Sequence, residues 1–136
     1  MFDAAPHPST SRPRVGRGRV DLLIVDGERD IRETLQELLE GEGYEVATAR
    51  NGDEGLARAR ELRPSMILLD LFMPVMDGAE FRRRQLDDDA LAEIPVVLVS
   101  AAVGVEERIA ALKVAAHLEK PLDIHVLFET VARYCG

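Results

Sequence analysis

The chain has 136 residues, 46% of them hydrophobic and 31% charged, which is enough apolar material for one packed domain and argues against disorder. Its formal net charge is −8 and is unevenly spread, with Arg12, Arg14, Arg17 and Arg19 all in the first twenty residues, so the more acidic body offers no basic face to hold nucleic acid. No apolar run approaches bilayer length, no signal-peptide pattern opens the chain, and the single Cys135 cannot form an internal disulfide; these features predict a cytoplasmic protein with no membrane contact and no redox role for Cys135.

In chain order, residues 1–18 read as a flexible leader rich in Pro, Ser and Arg, and residues 19–136 as the folded domain. Val20 to Val25 form an apolar, β-branched run ending at Asp26, which predicts a strand buried on both faces and central in its sheet. A helix follows over Glu28 to Glu40, with Ile31, Leu35, Leu38 and Leu39 on one face and Gly41 to Gly43 as its stop. The looser alternation of Tyr44 to Thr48 predicts an edge strand. Asn51 then caps a helix with a Leu56, Ala59 and Leu62 stripe, which Pro64 terminates. Met66 to Leu69 form another buried strand, ending at Asp70; the long loop LFMPVMDG leads to a helix over Ala79 to Leu86. Pro95 to Val99 is a strand closed by Ser100, Glu106 to Leu112 a helix, Ala115 to Leu118 a short strand and Asp123 to Arg133 the last helix. Strict alternation of five strands and five helices demands crossover connections, hence a doubly wound parallel α/β sheet with helices on both faces.

In such a sheet ligands sit beyond the carboxyl ends of the strands. Asp26, Asp70 and Ser100 end the first, third and fourth strands and Lys120 follows the fifth, so two carboxylates, a hydroxyl and an ammonium are predicted to converge in one shallow pocket. Lys120 is one of two lysines beside fifteen arginines, which points to a compact point charge as the property needed there.

The segments LLIVDGERDIRETLQELLEGEGYEVATARNGDEGL, MILLDLFMPVMDG, PVVLVSA and HLEKP, in this order, closely resemble the receiver domain of two-component response regulators. The resemblance runs from Val20 to the C-terminus. It implies a flavodoxin-like strand order 2-1-3-4-5 and phosphorylation on Asp70 by a sensor histidine kinase or a histidine phosphotransfer protein, with Ser100 and Lys120 assisting. It further implies one magnesium ion held by Asp26, Asp70 and the backbone carbonyl of Phe72, a cis peptide bond before Pro121, and a downstream protein as the reader of the signal. The reading surface would be formed by the fourth helix, fifth strand and fifth helix. Self-association into a homodimer is among the contacts it allows. The domain is then a phosphoacceptor that assists its own phosphorylation and dephosphorylation, not a turnover enzyme.

Two departures stand out. The family carries two adjacent acids after the first strand, where this chain has Asp26 and Gly27; one metal ligand is missing, and Glu28 is the nearby acid that could substitute. Weakened magnesium binding is the expectation, Gly27 as a mere turn residue the bland alternative. His117 occupies the place of the family's switch Tyr or Phe, so it either rotates on phosphorylation or blunts the switch. Phe72 and Ala102, which offer no hydrogen bond to an attacking water, are expected to slow loss of the phosphoryl group. A competing reading keeps the fold and denies the chemistry: a pseudo-receiver, an interaction module left unphosphorylated because Gly27 leaves its metal site incomplete. A phosphatase with an aspartyl nucleophile is disfavoured because Phe72 stands where its acid would be, and a flavin binder because DGERD would repel phosphate.

Overall fold

A computed structural model describes residues 20–73, 76–101 and 106–135. The leader, the Pro74–Val75 pair and Ala102 lie outside those residues. Five strands, β1 (Leu22–Val25), β2 (Val46–Ala49), β3 (Met66–Asp70), β4 (Val96–Ser100) and β5 (Ala116–Glu119), alternate with α1 (Arg29–Gly41), α2 (Gly52–Leu62), α3 (Gly78–Leu86), α4 (Glu106–Leu112) and α5 (Ile124–Cys135). All strand pairings are parallel and the order is β2-β1-β3-β4-β5, as anticipated. β1 is interior, but the middle strand is β3.

Alternation of side chains across the strands divides the core into two layers. Leu23, Val25, Ile67, Leu69 and Leu98 meet Leu56 and Ala59 of α2, Phe81 of α3 and Ile109 of α4. Leu22, Ile24, Leu68, Val97 and Val99 meet Leu35 and Leu39 of α1 and Leu127, Val131 and Cys135 of α5. β1, β3 and β4 are buried on both faces, whereas the edge strands β2 and β5 are only partly so. That explains the continuous apolar runs of the first group, each fully buried Leu or Ile of which contributes about 2 kcal/mol. Cys135 packs as a small apolar residue, and its thiol donates to the Asp21 carbonyl at 3.3 Å. In α5, Leu127 and Val131 are core, while Ile124 is exposed.

Boundaries shift where local hydrogen bonds override the apolar pattern. Val20 and Asp21 precede β1; the Asp21 carboxylate accepts the Glu45 amide at 2.8 Å while the Asp21 amide donates to the Glu45 carbonyl at 2.9 Å. Tyr44 stays outside β2 because its amide, at 3.2 Å, finishes α1 on the Leu39 carbonyl after Gly43 takes φ 96°. Asn51 caps α2 as expected, accepting the Glu54 amide at 2.8 Å, and Asp77 caps α3 on the Glu80 amide at 2.9 Å.

A polar clamp inside the second half was not anticipated. The buried Arg82 guanidinium of α3 donates to Gln85 Oε1 at 2.7 Å and to the Leu112 and Lys113 carbonyls at 3.0 and 2.8 Å. Gln85, fully buried, donates in turn to the Leu91 and Ile94 carbonyls at 2.8 and 2.9 Å. Two polar side chains thus satisfy the free carbonyls at the end of α4 and before β4, where Lys113 adopts a left-handed φ of 53°. Among the described residues no helix is long and apolar enough to cross a membrane.

Candidate functional site

Because all five strands run the same way, their carboxyl ends share one rim, and the polar residues ending them meet there. Asp26, Asp70 and Ser100 are each nearly inaccessible, at 2%, 6% and 1% exposure. Lys120 Nζ stands 3.7 Å from Asp26 Oδ2 and 3.7 Å from Asp70 Oδ1, so one ammonium bridges two carboxylates. Its backbone amide donates to the Ser100 carbonyl at 2.9 Å, which fixes the end of β5 against the end of β4, and the Lys120–Pro121 bond is cis, as expected. Asp70 Oδ1 also accepts the Phe72 amide at 3.2 Å.

Burial is the largest influence on Asp70 and raises its pKa; the Asp26 charge raises it further, and Lys120 offsets part of both. Two carboxylates against one ammonium leave the site with surplus negative charge, to which Glu28 also contributes at Asp70. Hard oxygen donors and excess negative charge suit a small divalent cation in type. They do not suit it in number: among the described residues no three His, Cys, Asp or Glu side chains gather to hold one, and position 27 supplies no side-chain oxygen. The fit therefore leaves part of the coordination shell to water or to backbone carbonyls.

Gly27 does not owe its place to a left-handed backbone, since among the described residues Gly43 is the glycine with positive φ. What holds the turn after β1 is hydrogen bonding. Asp26 Oδ1 accepts the Glu28 amide at 2.8 Å, and the Asp26 carbonyl accepts Arg32 Nη1 at 2.8 Å. Glu28 itself is exposed, and its link to Asp26 runs through its amide.

Two contributors escaped the sequence reading. Arg32 is one; a lone arginine on a helix face carries no distinguishing pattern. Gly78 is the other. A Cβ there would lie 2.8 Å from Leu71 Cα and 3.2 Å from the Asp70 carbonyl, so α3 can approach the loop after β3 only as glycine, and the Gly78 amide then donates to the Leu71 carbonyl at 2.8 Å. The Asp-Gly pair at 77 and 78 was the available signal. His117 does not join the acid cluster: it lies on β5 opposite Leu98, below the Ser100 and Glu119 rung. Its Nε2 is buried with no hydrogen-bond partner among the described residues. Phe72 is 45% exposed beside Asp70.

A model of the response regulator receiver domain family matches residues 22–132. The polar-differentiation response regulator DivK of Brucella anthropi is 38% identical over 117 residues, covering 85% of this chain and 94% of DivK; its Brucella ovis counterpart is 35% identical over the same length. Among solved structures, the chemotaxis protein CheY4 of Vibrio cholerae is similar with a TM-score of 0.77 and 31% identity, covering 84% of this chain and 97% of that one. A response regulator receiver protein of Pseudomonas putida has a TM-score of 0.78 at 27% identity, covering 85% and 97%.

The raised Asp70 pKa has a consequence for stability. The folded protein holds this proton more tightly than the unfolded chain, so stability is lost as pH climbs from the ordinary aspartate value of 3.8 through the raised one. Asp70→Asn, which removes the charge, should therefore raise Tm at pH 7, the gain shrinking toward zero below pH 3.8. Thermal unfolding of both proteins across that pH range checks it; a lower Tm for the variant at pH 7 would contradict the account.

Proposed function

This chain belongs to the response regulator receiver domain family, modules of phosphorylation-dependent signal transduction, and on that premise we propose that Asp70 is its phosphoacceptor. The observation that carries the assignment is the ammonium of Lys120 poised 3.7 Å from both the Asp70 and Asp26 carboxylates at the rim of the sheet. Burial and the neighbouring Asp26 charge raise the pKa of Asp70, which makes its carboxylate a more basic nucleophile.

In the reaction, a carboxylate oxygen of Asp70 attacks the phosphorus of a phosphohistidine, the P–N bond breaks, and the electron pair leaves on the imidazole of the donor. The product is an acyl phosphate on Asp70. Attack brings anionic oxygens toward an anionic site, so charge must be neutralised in the transition state. Lys120 supplies one positive charge, and Ser100, at the end of the neighbouring strand, supplies a hydroxyl donor to a phosphoryl oxygen. Asp26, Asp70 and the Phe72 carbonyl would hold magnesium, with Glu28 as an outer acid; that ion, when bound, neutralises further charge on the transferring group. The chain thus assists its own phosphorylation in the cytoplasm while a sensor histidine kinase or histidine phosphotransfer protein supplies the phosphoryl group.

Phosphorylation adds about two negative charges and three acceptor oxygens at the rim, sufficient to bias a two-state element. His117 is the residue proposed to respond. A buried imidazole nitrogen without a hydrogen bond costs free energy in the present arrangement, which favours an alternative in which it finds a partner. The surface formed by α4, β5 and α5 would carry that change to a downstream protein.

Three measurements follow. Incubation with acetyl phosphate and magnesium should add one phosphoryl mass to the wild type and none to Asp70→Ala; an unmodified wild type would leave an interaction module in place of a phosphoacceptor. Gly27→Asp should bind magnesium about tenfold more tightly or better by isothermal titration, since it adds a direct ligand; equal affinity would refute the incomplete-site argument. His117→Ala should retain phosphorylation yet lose the phosphorylation-dependent amide shifts of α4, β5 and α5 in NMR spectra, and an undiminished response would remove His117 from the switch.

A further inference from the structure

Asp26 is held at both of its ends, and the second hold comes from a residue with no place in the chemistry described so far. Its side chain is anchored through Oδ1, which accepts the Glu28 amide at 2.8 Å, and this leaves Oδ2 to face Lys120 at 3.7 Å. Its backbone carbonyl is anchored through Arg32, whose Nη1 donates at 2.8 Å from the second turn of α1. The Arg32 amide meanwhile donates to the Glu28 carbonyl at 2.9 Å, so Arg32 bridges the two residues that flank Gly27. We propose that Arg32 is a positioning residue for phosphoryl transfer: it clamps the Asp26–Gly27–Glu28 turn and so aims the Asp26 carboxylate at Lys120.

The physical case rests on what the turn lacks. A glycine at its centre gives the unfolded and loosened states more backbone freedom than any other residue would. Nor does position 27 contribute a side-chain oxygen that a cation could use to tie the turn to Asp70. The carbonyl of Asp26, a residue only 2% exposed, would be left with a poorly solvated acceptor if the guanidinium were removed. Relief would come from rotation of the peptide after Asp26, which carries the Glu28 amide away from Oδ1. The carboxylate would then be free to turn, and Lys120 would divide its charge differently between Asp26 and Asp70. Arg32 is partly buried and touches a carbonyl, so it acts through the position of Asp26 and takes no part in the reaction. This inference rests on the reading of Asp70 as the phosphoacceptor, but its first readout does not.

The test compares Arg32→Met, which keeps the aliphatic stem without a donor, with Arg32→Lys, which keeps one donor, and with Arg32→Met/Gly27→Ala, in which the turn is stiffened. Hydrogen exchange of the Glu28 amide, followed by NMR on the full chain, reports the Asp26 hydrogen bond directly. It should quicken about tenfold in Arg32→Met while amides of β1 and β3 keep their protection. The rate of phosphorylation by acetyl phosphate should fall in parallel, with Arg32→Lys intermediate and Gly27→Ala restoring part of both losses. Unchanged Glu28 exchange, exchange that quickens equally throughout the sheet, or a loosened turn with an unaltered phosphorylation rate would each overturn the proposal. If the wild type takes no phosphoryl group at all, the assignment of Asp70 fails, and the exchange measurements still decide whether Arg32 clamps the turn.

Discussion

One ammonium shared between two buried carboxylates is the constraint around which this molecule is arranged. Lys120 cannot satisfy Asp26 and Asp70 together, and at 3.7 Å from each it forms a tight contact with neither. The Asp70 pKa is therefore raised by burial and by Asp26, and the rim carries surplus negative charge. Such a site is costly to fold, and it is responsive for the same reason: an arriving group that changes the charge balance changes the free energy of the whole rim. Everything else in the structure can be read as the means of holding these three side chains together against that cost.

The sheet provides most of those means. β1, β3 and β4 are buried on both faces, so their registers are set by apolar contacts above and below, and a slip of one residue would turn every core side chain outward. That rigidity is passed directly to the residues that end them. Asp26 is one step beyond Val25, which pairs with Leu69, itself one step before Asp70; the two carboxylates are neighbours because their strands are. Lys120 comes from an edge strand, where packing is weaker, and its amide bond to the Ser100 carbonyl compensates at the point where the strand ends. The Arg82 and Gln85 clamp anchors the far end of α4 to α3 and to the connection before β4, away from the rim.

The legible and the illegible parts of this structure differ in how their forces are encoded. Strand and helix positions followed from hydrophobic period, a property shared by many residues at once, and they were recovered within one or two residues. Caps such as Asn51, and the stops at Gly43 and Pro64, act through one local bond or one dihedral angle and were equally readable. The four rim residues stood out because each is a polar residue at or just past the end of a strand, at the same place in the topology. By contrast, Arg32, Arg82 and Gln85 act through backbone carbonyls that any sequence would supply, so no partner residue marks them. Gly78 lay between: its pairing with Asp77 was visible, but that a Cβ would strike Leu71 and the Asp70 carbonyl depends on how closely α3 packs. His117 was legible as a departure, yet its unpartnered Nε2 is a property of packing alone.

Gly27 illustrates why an absence in a motif needs the structure to interpret it. As a sequence feature it could be a lost ligand or a device for a tight turn, and the two predict different things. A left-handed backbone would favour glycine, and the turn at position 27 does not show one. What glycine changes there is the missing side-chain oxygen and the added freedom of the chain. The two effects pull on the same carboxylate. With no ligand at 27 to fasten the turn to a bound cation, the aim of Asp26 depends on bonds within the protein, from the Glu28 amide on one side and the Arg32 guanidinium on the other. A site that has given up part of its metal shell relies correspondingly more on its own hydrogen bonds for geometry.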